Sequence, residues 1–403
     1  MGRPRQKGGD GMRQTQNRHQ RGRLDAGPGL VRPEPEDCAF RSAYRNNEHG
    51  LRQRALPDQV KVNFPLRCGF RACRSVFGLP FGLMLIFSPW PLSYAGSMRV
   101  TALAGGVGGA KLLVGLQRRL GSDLTAVVNT GDDAVIYGVH VSPDLDICTY
   151  WLAGIADTRK GWGIEGDTFS VVEGMRALGL DAWFNLGDRD FATCLHRTAR
   201  LESGATLSEV TDELAGRLGV RARILPMTDD EVRTKIVTTD GRTLDFQEYF
   251  VKERTAPEVA EVVLAGMSGA VPAPDVLESI AGSDMVVLCP SNPFLSIGPI
   301  LGLRGLRDAL REHPRVVAIS PIIKGAALKG PADRMLRSLG AEASATGVAR
   351  LYEDFADVFV VDASDGDQVT RIESTGMRAT SLDTIMGDHD AAERLAAELL
   401  ELT

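Results

Sequence analysis

"LAGGVGGAKLLVGL", residues 103–116, lies between the short apolar run "MRVTA" (residues 98–102) and a segment of helical period. Four glycines and a lysine between a strand and a helix have the composition of an anion-holding loop. Glycines let the backbone approach a ligand closely, and a helix start offers N–H groups and the positive end of its dipole. The candidate phosphate-binding residues are therefore Gly105, Gly106, Gly108, Gly109 and Lys111. The competing reading is a glycine-rich turn that only packs helix on strand. Neither standard nucleotide fingerprint fits. A P-loop ends in Gly-Lys-Ser/Thr, whereas here Ala110 precedes Lys111 and Leu112 follows it. The dinucleotide fingerprint requires its third glycine where Lys111 stands.

Working outward, the chain from Met98 reads as α/β, a Rossmann-like parallel sheet core with an inserted helical and β-hairpin subdomain. "MRVTALAG" reads as a buried strand and residues 110–120 as the helix after it. "LTAVVNTGDD", "DMVVLCPSNP" and "RVVAISPIIKG" repeat one design, an apolar strand and then a polar loop, and "ADVFVVDAS" is a further strand. Ligands in open α/β sheets bind at the carboxyl ends of strands, where all these loops lie. The insertion is expected at about residues 167–265, first helical and then a hairpin around the Asp-Gly of "TKIVTTDGRTLDFQEYFV".

Charge is distributed unevenly. Residues 1–97 carry 16 Lys+Arg against 7 Asp+Glu, and the remaining residues carry 30 against 45. An acidic body argues against nucleic acid as a partner. The basic segment is rich in Arg, Gly, Pro and Gln over residues 1–75, a composition expected to be disordered. It ends in "VFGLPFGLMLIFSPWPLSYAGS" (residues 76–97), whose uninterrupted run is short for a membrane span and contains Pro80. The expectation is that the chain proper begins at Met98 and that residues 1–97 are a start-site artefact; a real disordered extension and an export signal are the alternatives. The six cysteines show no CxxC or Cys/His spacing. Reduced thiols, no membrane partner and a cytoplasmic location are expected.

Several constellations could carry chemistry. "NTGDDAVIYGVHVSPDLD" supplies Asn129, Asp132, Asp133, Asp144 and Asp146 from a strand's carboxyl end onward. Closely spaced carboxylates suit a hard divalent cation, for which Asp132 and Asp133 are the candidate ligands. They also suit a base for a hydroxyl nucleophile, for which Asp133 and Asp146 are the candidates. A plain turn, with Asp144 capping the helix after Pro143, is the bland account. In "NLGDRDFATCLHR", Asp190 reads as a helix N-cap, and Arg189 as either a surface ion pair or a fork for a phosphate or a flat polar ring. Ser291 and Asn292 in "CPSNP", and Ser320 in "SPIIKG", end consecutive strands and are candidates for holding a nucleotide's base or ribose. The scattered histidines form no hydrolase triad.

"GGVGGAKLLVGL", "VVNTGDD", "SPDLD", "GWG", "LGDRD", "ILPMTDD", "FQEYFV", "PSNPFLSIGPI" and "SPIIKG" occur in the order found in the 2-phospho-L-lactate transferase family, which the chain resembles from Met98 nearly to its end. The resemblance implies transfer of a phospholactyl or phosphoenolpyruvyl group from a guanosine diphosphate-linked three-carbon acid. The acceptor would be the ribityl hydroxyl of 7,8-didemethyl-8-hydroxy-5-deazariboflavin, with GMP released, in coenzyme F-420 biosynthesis. It further implies magnesium (Mg2+), a homodimer, and deazaflavin binding by Arg189 and by an Asp of "PDLD", Asp146 or Asp144. On that reading the glycine loop and Lys111 hold the diphosphate, and the loops of Ser291, Asn292 and Ser320 hold the guanosine side. The alternative is a non-catalytic nucleotide-sugar-binding regulator of the same fold family. "SPDLD" and "LGDRD", which an acceptor site needs, separate the two readings. A dehydrogenase is disfavoured because Asn129 stands where an acidic ribose ligand would end the second strand.

Overall fold

The computed structural model describes residues 98–402; the expectations for residues 1–97 lie outside the described residues. The strands, in chain order, are β1 (Val100–Ala104), β2 (Leu124–Val128), β3 (Ala134–Ile136), β4 (Val139–Val141), β5 (Arg223–Pro226), β6 (Arg233–Thr238) and β7 (Thr243–Asp245). They continue with β8 (Val259–Ala265), β9 (Met285–Leu288), β10 (Val316–Ile319), β11 (Ile322–Ile323), β12 (Ala326–Ala327), β13 (Val358–Asp362) and β14 (Arg378–Leu382). Seven of them form one sheet in the order β14-β13-β10-β9-β1-β2-β5, with every pairing parallel.

All five residues of β1 are buried, because helices cover both faces of a central parallel strand. Ala102 and Ala104 point into one core cluster and Leu103 into the other, so the small side chains lie under the first helix. That helix, α1 (Gly106–Leu120), begins four residues earlier than expected, inside the glycines. Intrinsic propensity argues against four glycines in a helix, but packing decides here: a Cβ on Gly108 would lie 2.4 Å from the Pro290 carbonyl oxygen. α1 packs on α2 (Pro143–Leu152) and on the C-terminal helix, His389–Glu401. The order of β1, β2 and β5 on one side and β9, β10, β13 and β14 on the other puts the topological switch between β1 and β9.

The expected insertion is corrected. β5 lies within residues 167–265 yet is the edge of the main sheet, beside β2. Its four residues, "RILP", are too short to read as a strand in isolation. Two excursions therefore replace one. The first holds the β3–β4 hairpin and the helices α3 (Ser170–Ala177), α4 (Asp188–Glu202) and α5 (Leu207–Arg217). The hairpin, α3 and α4 share a small core of Ile136, Val139, Val172, Leu186 and Cys194. The second is an antiparallel sheet, β7-β6-β8, whose Asp240-Gly241 turn joins β6 to β7. Among the described residues, no helix is long and apolar enough to cross a membrane. Cys148, Cys194 and Cys289 are free and buried.

Candidate functional site

A cavity of about 750 Å³ opens at the carboxyl ends of β1, β2, β9 and β10. The loops after these strands bring Gly105, Gly106, Gly108, Asp132, Ser291, Asn292 and Ser320 to its wall, with Lys111 from α1 and Asp144 and Asp146 from α2. Most residues singled out in the sequence thus share one space.

The glycine loop is built around a carboxylate. Asp144 Oδ1 accepts from the Gly106 N–H at 2.7 Å, so the acid caps α1 from another helix and occupies the positive end of its dipole. It does not cap its own helix, whose N-cap is Ser142. The Ser291 hydroxyl donates to the Gly105 carbonyl at 2.7 Å and accepts from the Gly105 N–H at 3.2 Å. Gly109 does not line the cavity. A Cβ there would meet Ser291 Oγ at 2.6 Å, so this glycine packs the helix against the loop.

Asn129 organises the acids. Its Nδ2 donates to Asp132 Oδ1 and to Asp144 Oδ2, each at 3.0 Å, and its Oδ1 accepts from the Gly131 N–H. Burial, then the nearby Asp144 and Asp133, pushes the Asp132 carboxyl well above the usual range. Burial likewise raises Asp144 to about 6, against the pull of its Asn129 and Gly106 hydrogen bonds. Asp133 stands behind them. Its Oδ2 accepts from Ser142 Oγ at 2.7 Å and meets His140 Nε2 at 3.0 Å, while its buried Oδ1 has no partner. Asp133 lines a smaller neighbouring cavity of about 350 Å³, which Asp132 also reaches, rather than the large one. The two-residue turn sends the adjacent side chains of Asp132 and Asp133 to different sides, so Asp133 does not reach the large cavity directly.

These residues fit a hard cation. Among the described residues, Asp132, Asp133 and Asp144 form no ion pair with any Lys or Arg, and the buried Asp133 Oδ1 has no partner. Among the described residues, Asp146, Asp190 and Cys194 also bring ligand atoms within 4.8 Å of one another. There a guanidinium already supplies the positive charge. Arg197 Nη1 donates to Asp146 Oδ2 at 3.1 Å, and Nη2 donates to Oδ1. Burial pushes the Asp146 carboxyl up, and Arg197 opposes it.

One expectation for "GDRD" is corrected, and its arginine is placed apart from the wall. Asp190 is no N-cap; α4 starts at Asp188 after Gly187, and Asp190 lines the cavity, accepting from the Tyr150 hydroxyl at 2.8 Å. Arg189 does not line it. The side chain is exposed and donates to the Glu165 carbonyl at 3.1 Å. Successive helical residues point about 100° apart, so burying Asp190 turns Arg189 outward.

Further residues complete the wall, among which the sequence had pointed to Lys329, in the loop after Ser320, and not to Lys160. Lys160 and Lys329 join Lys111 there. Lys111 Nζ donates to the Met386 carbonyl at 2.7 Å, and burial followed by the charge of Lys329 lowers its pKa. Phe184, Phe246, Phe250 and Trp162 add flat apolar surface, with Phe246 and Phe250 stacked at 5.4 Å. Asn292 and Ser320 direct their polar atoms at their own loops: Asn292 Oδ1 accepts from the Phe294 N–H, and Ser320 Oγ donates to the Ile322 carbonyl. They shape the pocket more than they reach into it. A signal for Arg197 was present, since Asp190, Cys194 and Arg197 recur at helical spacing and form one buried stripe of α4.

Residues 100–400 match the family model described as 2-phospho-L-lactate transferase CofD. A phosphoenolpyruvate transferase of Streptomyces griseus subsp. griseus is 43% identical over 312 residues, covering 76% of this chain and 98% of that protein. A 2-phospho-L-lactate transferase of Methanosarcina mazei is 41% identical over 294 residues, covering 73% and 96%. Among solved structures, a upf0052 family protein of Bacillus halodurans superimposes with a TM-score of 0.54 at 16% identity, over 76% of this chain and 99% of that one, a likeness of fold.

Proposed function

The chain belongs to the 2-phospho-L-lactate transferase CofD family, and from that membership we propose a specific transfer. It moves a phospholactyl or phosphoenolpyruvyl group from a guanosine diphosphate-linked three-carbon acid to the ribityl hydroxyl of 7,8-didemethyl-8-hydroxy-5-deazariboflavin. GMP leaves, and the product belongs to coenzyme F-420 biosynthesis. One observation carries the reading: a single cavity combines a glycine loop, three lysines, four carboxylates and an aromatic wall. A donor with several negative charges and an acceptor with a flat ring and a free hydroxyl need that combination.

In this reading Lys111, Lys160 and Lys329 hold the anionic donor beside the glycine loop, since phosphoryl transfer depends on positioning and neutralisation of oxygens. The loops shaped by Ser291, Asn292 and Ser320 hold the guanosine side. Asp132 and Asp144, with Asp133 behind them, hold Mg2+, which when bound offsets charge on the donor phosphates. The aromatic wall takes the deazaflavin ring, and the Arg197-braced Asp146 borders the acceptor's polar end. A homodimer acting in the cytoplasm is part of the same reading.

The test incubates the full chain with the deazaflavin, magnesium and each donor in turn. Mass analysis is expected to find one phospho-acid adduct with equimolar GMP, and neither when a chelator removes magnesium. Absence of product with both donors overturns the proposal.

A further inference from the structure

Four carboxylates line the cavity, and they differ in how many of their oxygens the protein already uses. Asp144 accepts from Gly106 and Asn129. Asp132 accepts from Asn129 on Oδ1 and from Gln247 Nε2 on Oδ2. Both oxygens of Asp146 are held by the Arg197 guanidinium. Asp190 is the exception. Its Oδ1 accepts from the Tyr150 hydroxyl, and its Oδ2 takes no hydrogen bond from any of the described residues. We propose that Asp190 is the catalytic base of this site: its Oδ2 takes the proton of the acceptor hydroxyl, while Asp146 orients the acceptor and stays ion-paired.

The inference rests on the transfer proposed above and assigns the proton that this transfer must release. The acceptor oxygen forms a bond to the phosphorus that bears the three-carbon acid. The bond from that phosphorus to the bridging oxygen breaks, and its electron pair leaves with GMP. The acceptor proton passes to Asp190 Oδ2 and then to solvent. No oxidant or further reactant is needed.

Placement supports the role. Asp190 follows Phe184, Asn185 and Leu186, which line the same cavity, so the base sits on the chain segment that contributes part of the flat apolar wall. Tyr150, itself a wall residue, fixes the carboxyl plane by its hydrogen bond. The charged and titratable groups around Asp190 are Asp146 and Tyr150 on α2, Cys194 and Arg197 on α4, and Asp167 in the loop before α3. One guanidinium therefore serves two buried carboxylates, and it is committed to Asp146. Burial and then the Asp146 charge raise Asp190 to about 7, while Tyr150 and Arg197 pull it down. A base poised near the working pH combines a useful deprotonated fraction with a useful driving force.

The test is the pH profile of kcat with saturating donor, for the wild-type chain and for Asp190→Asn. The base must be deprotonated, so wild-type activity is expected to rise with pH through an acid limb near 7. Asp190→Asn is expected to lose about 10²–10⁴-fold in kcat, the usual contribution of a general base, with donor KM little changed and the limb abolished. Tyr150→Phe keeps Asp190 but removes a hydrogen bond that favours its ionised form, so the limb should move to higher pH. An Asp190→Asn enzyme with wild-type kcat and acid limb overturns the assignment while leaving the transfer standing. If that variant does not fold, an unmoved limb in Tyr150→Phe overturns it. A wild-type chain that turns over neither donor overturns both the transfer and its base.

Discussion

Arg197 is 2% exposed and, among the described residues, is the one cation paired with Asp146 inside the wall. Its Nη1 also reaches the His140 carbonyl at 3.2 Å, tying the β3–β4 hairpin to α2 and α4. A buried pair of this kind gains little net stability when intact, because both ions are desolvated; removing one partner is far worse. Arg197→Met preserves length and apolar volume but leaves Asp146 and Asp190 facing each other without a counter-charge. A loss of about 3–5 kcal/mol in denaturant unfolding is expected, with kcat falling as the acceptor wall distorts. A loss below about 1 kcal/mol, the range of exposed pairs, would show that Arg197 is dispensable to the wall. At this scale the sequence was partly legible. Asp144 and Asp146 stood out as acids, but their partners lie 38 and 51 residues away, at Gly106 and Arg197, and no local pattern links them.

At the scale of elements, α1 shows how packing overrides propensity. Gly115 sits in mid-helix, where Ala would ordinarily add about 0.5–1 kcal/mol. Here a Cβ would lie 2.1 Å from the Ala392 carbonyl oxygen and 2.4 Å from its carbon, both backbone atoms of the C-terminal helix. The helices touch backbone to backbone, and one must move. Overpacking of this kind costs about 1–3 kcal/mol, so it outweighs the propensity gain. Gly115→Ala is therefore expected to lower Tm, measured by calorimetry, and an unchanged or raised Tm would place the two helices farther apart. The same logic explains the early start of α1, where Gly105 and Gly108 admit Asp144, Ser296 and Pro290. Glycines read as ligand contacts are equally contacts between elements.

At the scale of the molecule, the main sheet runs from β1, beginning at Val100, to β14, ending at Leu382. The family match spans residues 100–400. A chain of residues 98–403 is accordingly expected to fold with the full chain's circular dichroism and to retain its turnover. Loss of either would assign the basic segment a part in folding or catalysis. The cavity also belongs to this scale, since it lies where the sheet order reverses between β1 and β9, and loops from both sides of that point supply its wall.

The sequence by itself determined the parallel α/β class, the central strand at residues 100–104, and the loops that carry the site. Those are local signals: a run of buried apolar residues followed at once by Gly, Asp, Ser or Asn. It also placed Asn129, Asp132, Asp144, Asp146 and Ser291 among the candidates, because such residue types at strand ends have few other uses. Only the tertiary structure decided which acid faces which partner. It turned Arg189 out and Asp190 in, capped α1 with Asp144, matched Asp146 to Arg197, and moved β5 from an insertion into the main sheet. The reason is physical. A strand or a helix reports its periodicity within about ten residues, whereas the protonation and free oxygens of a buried carboxylate depend on which distant segments the fold presses against it.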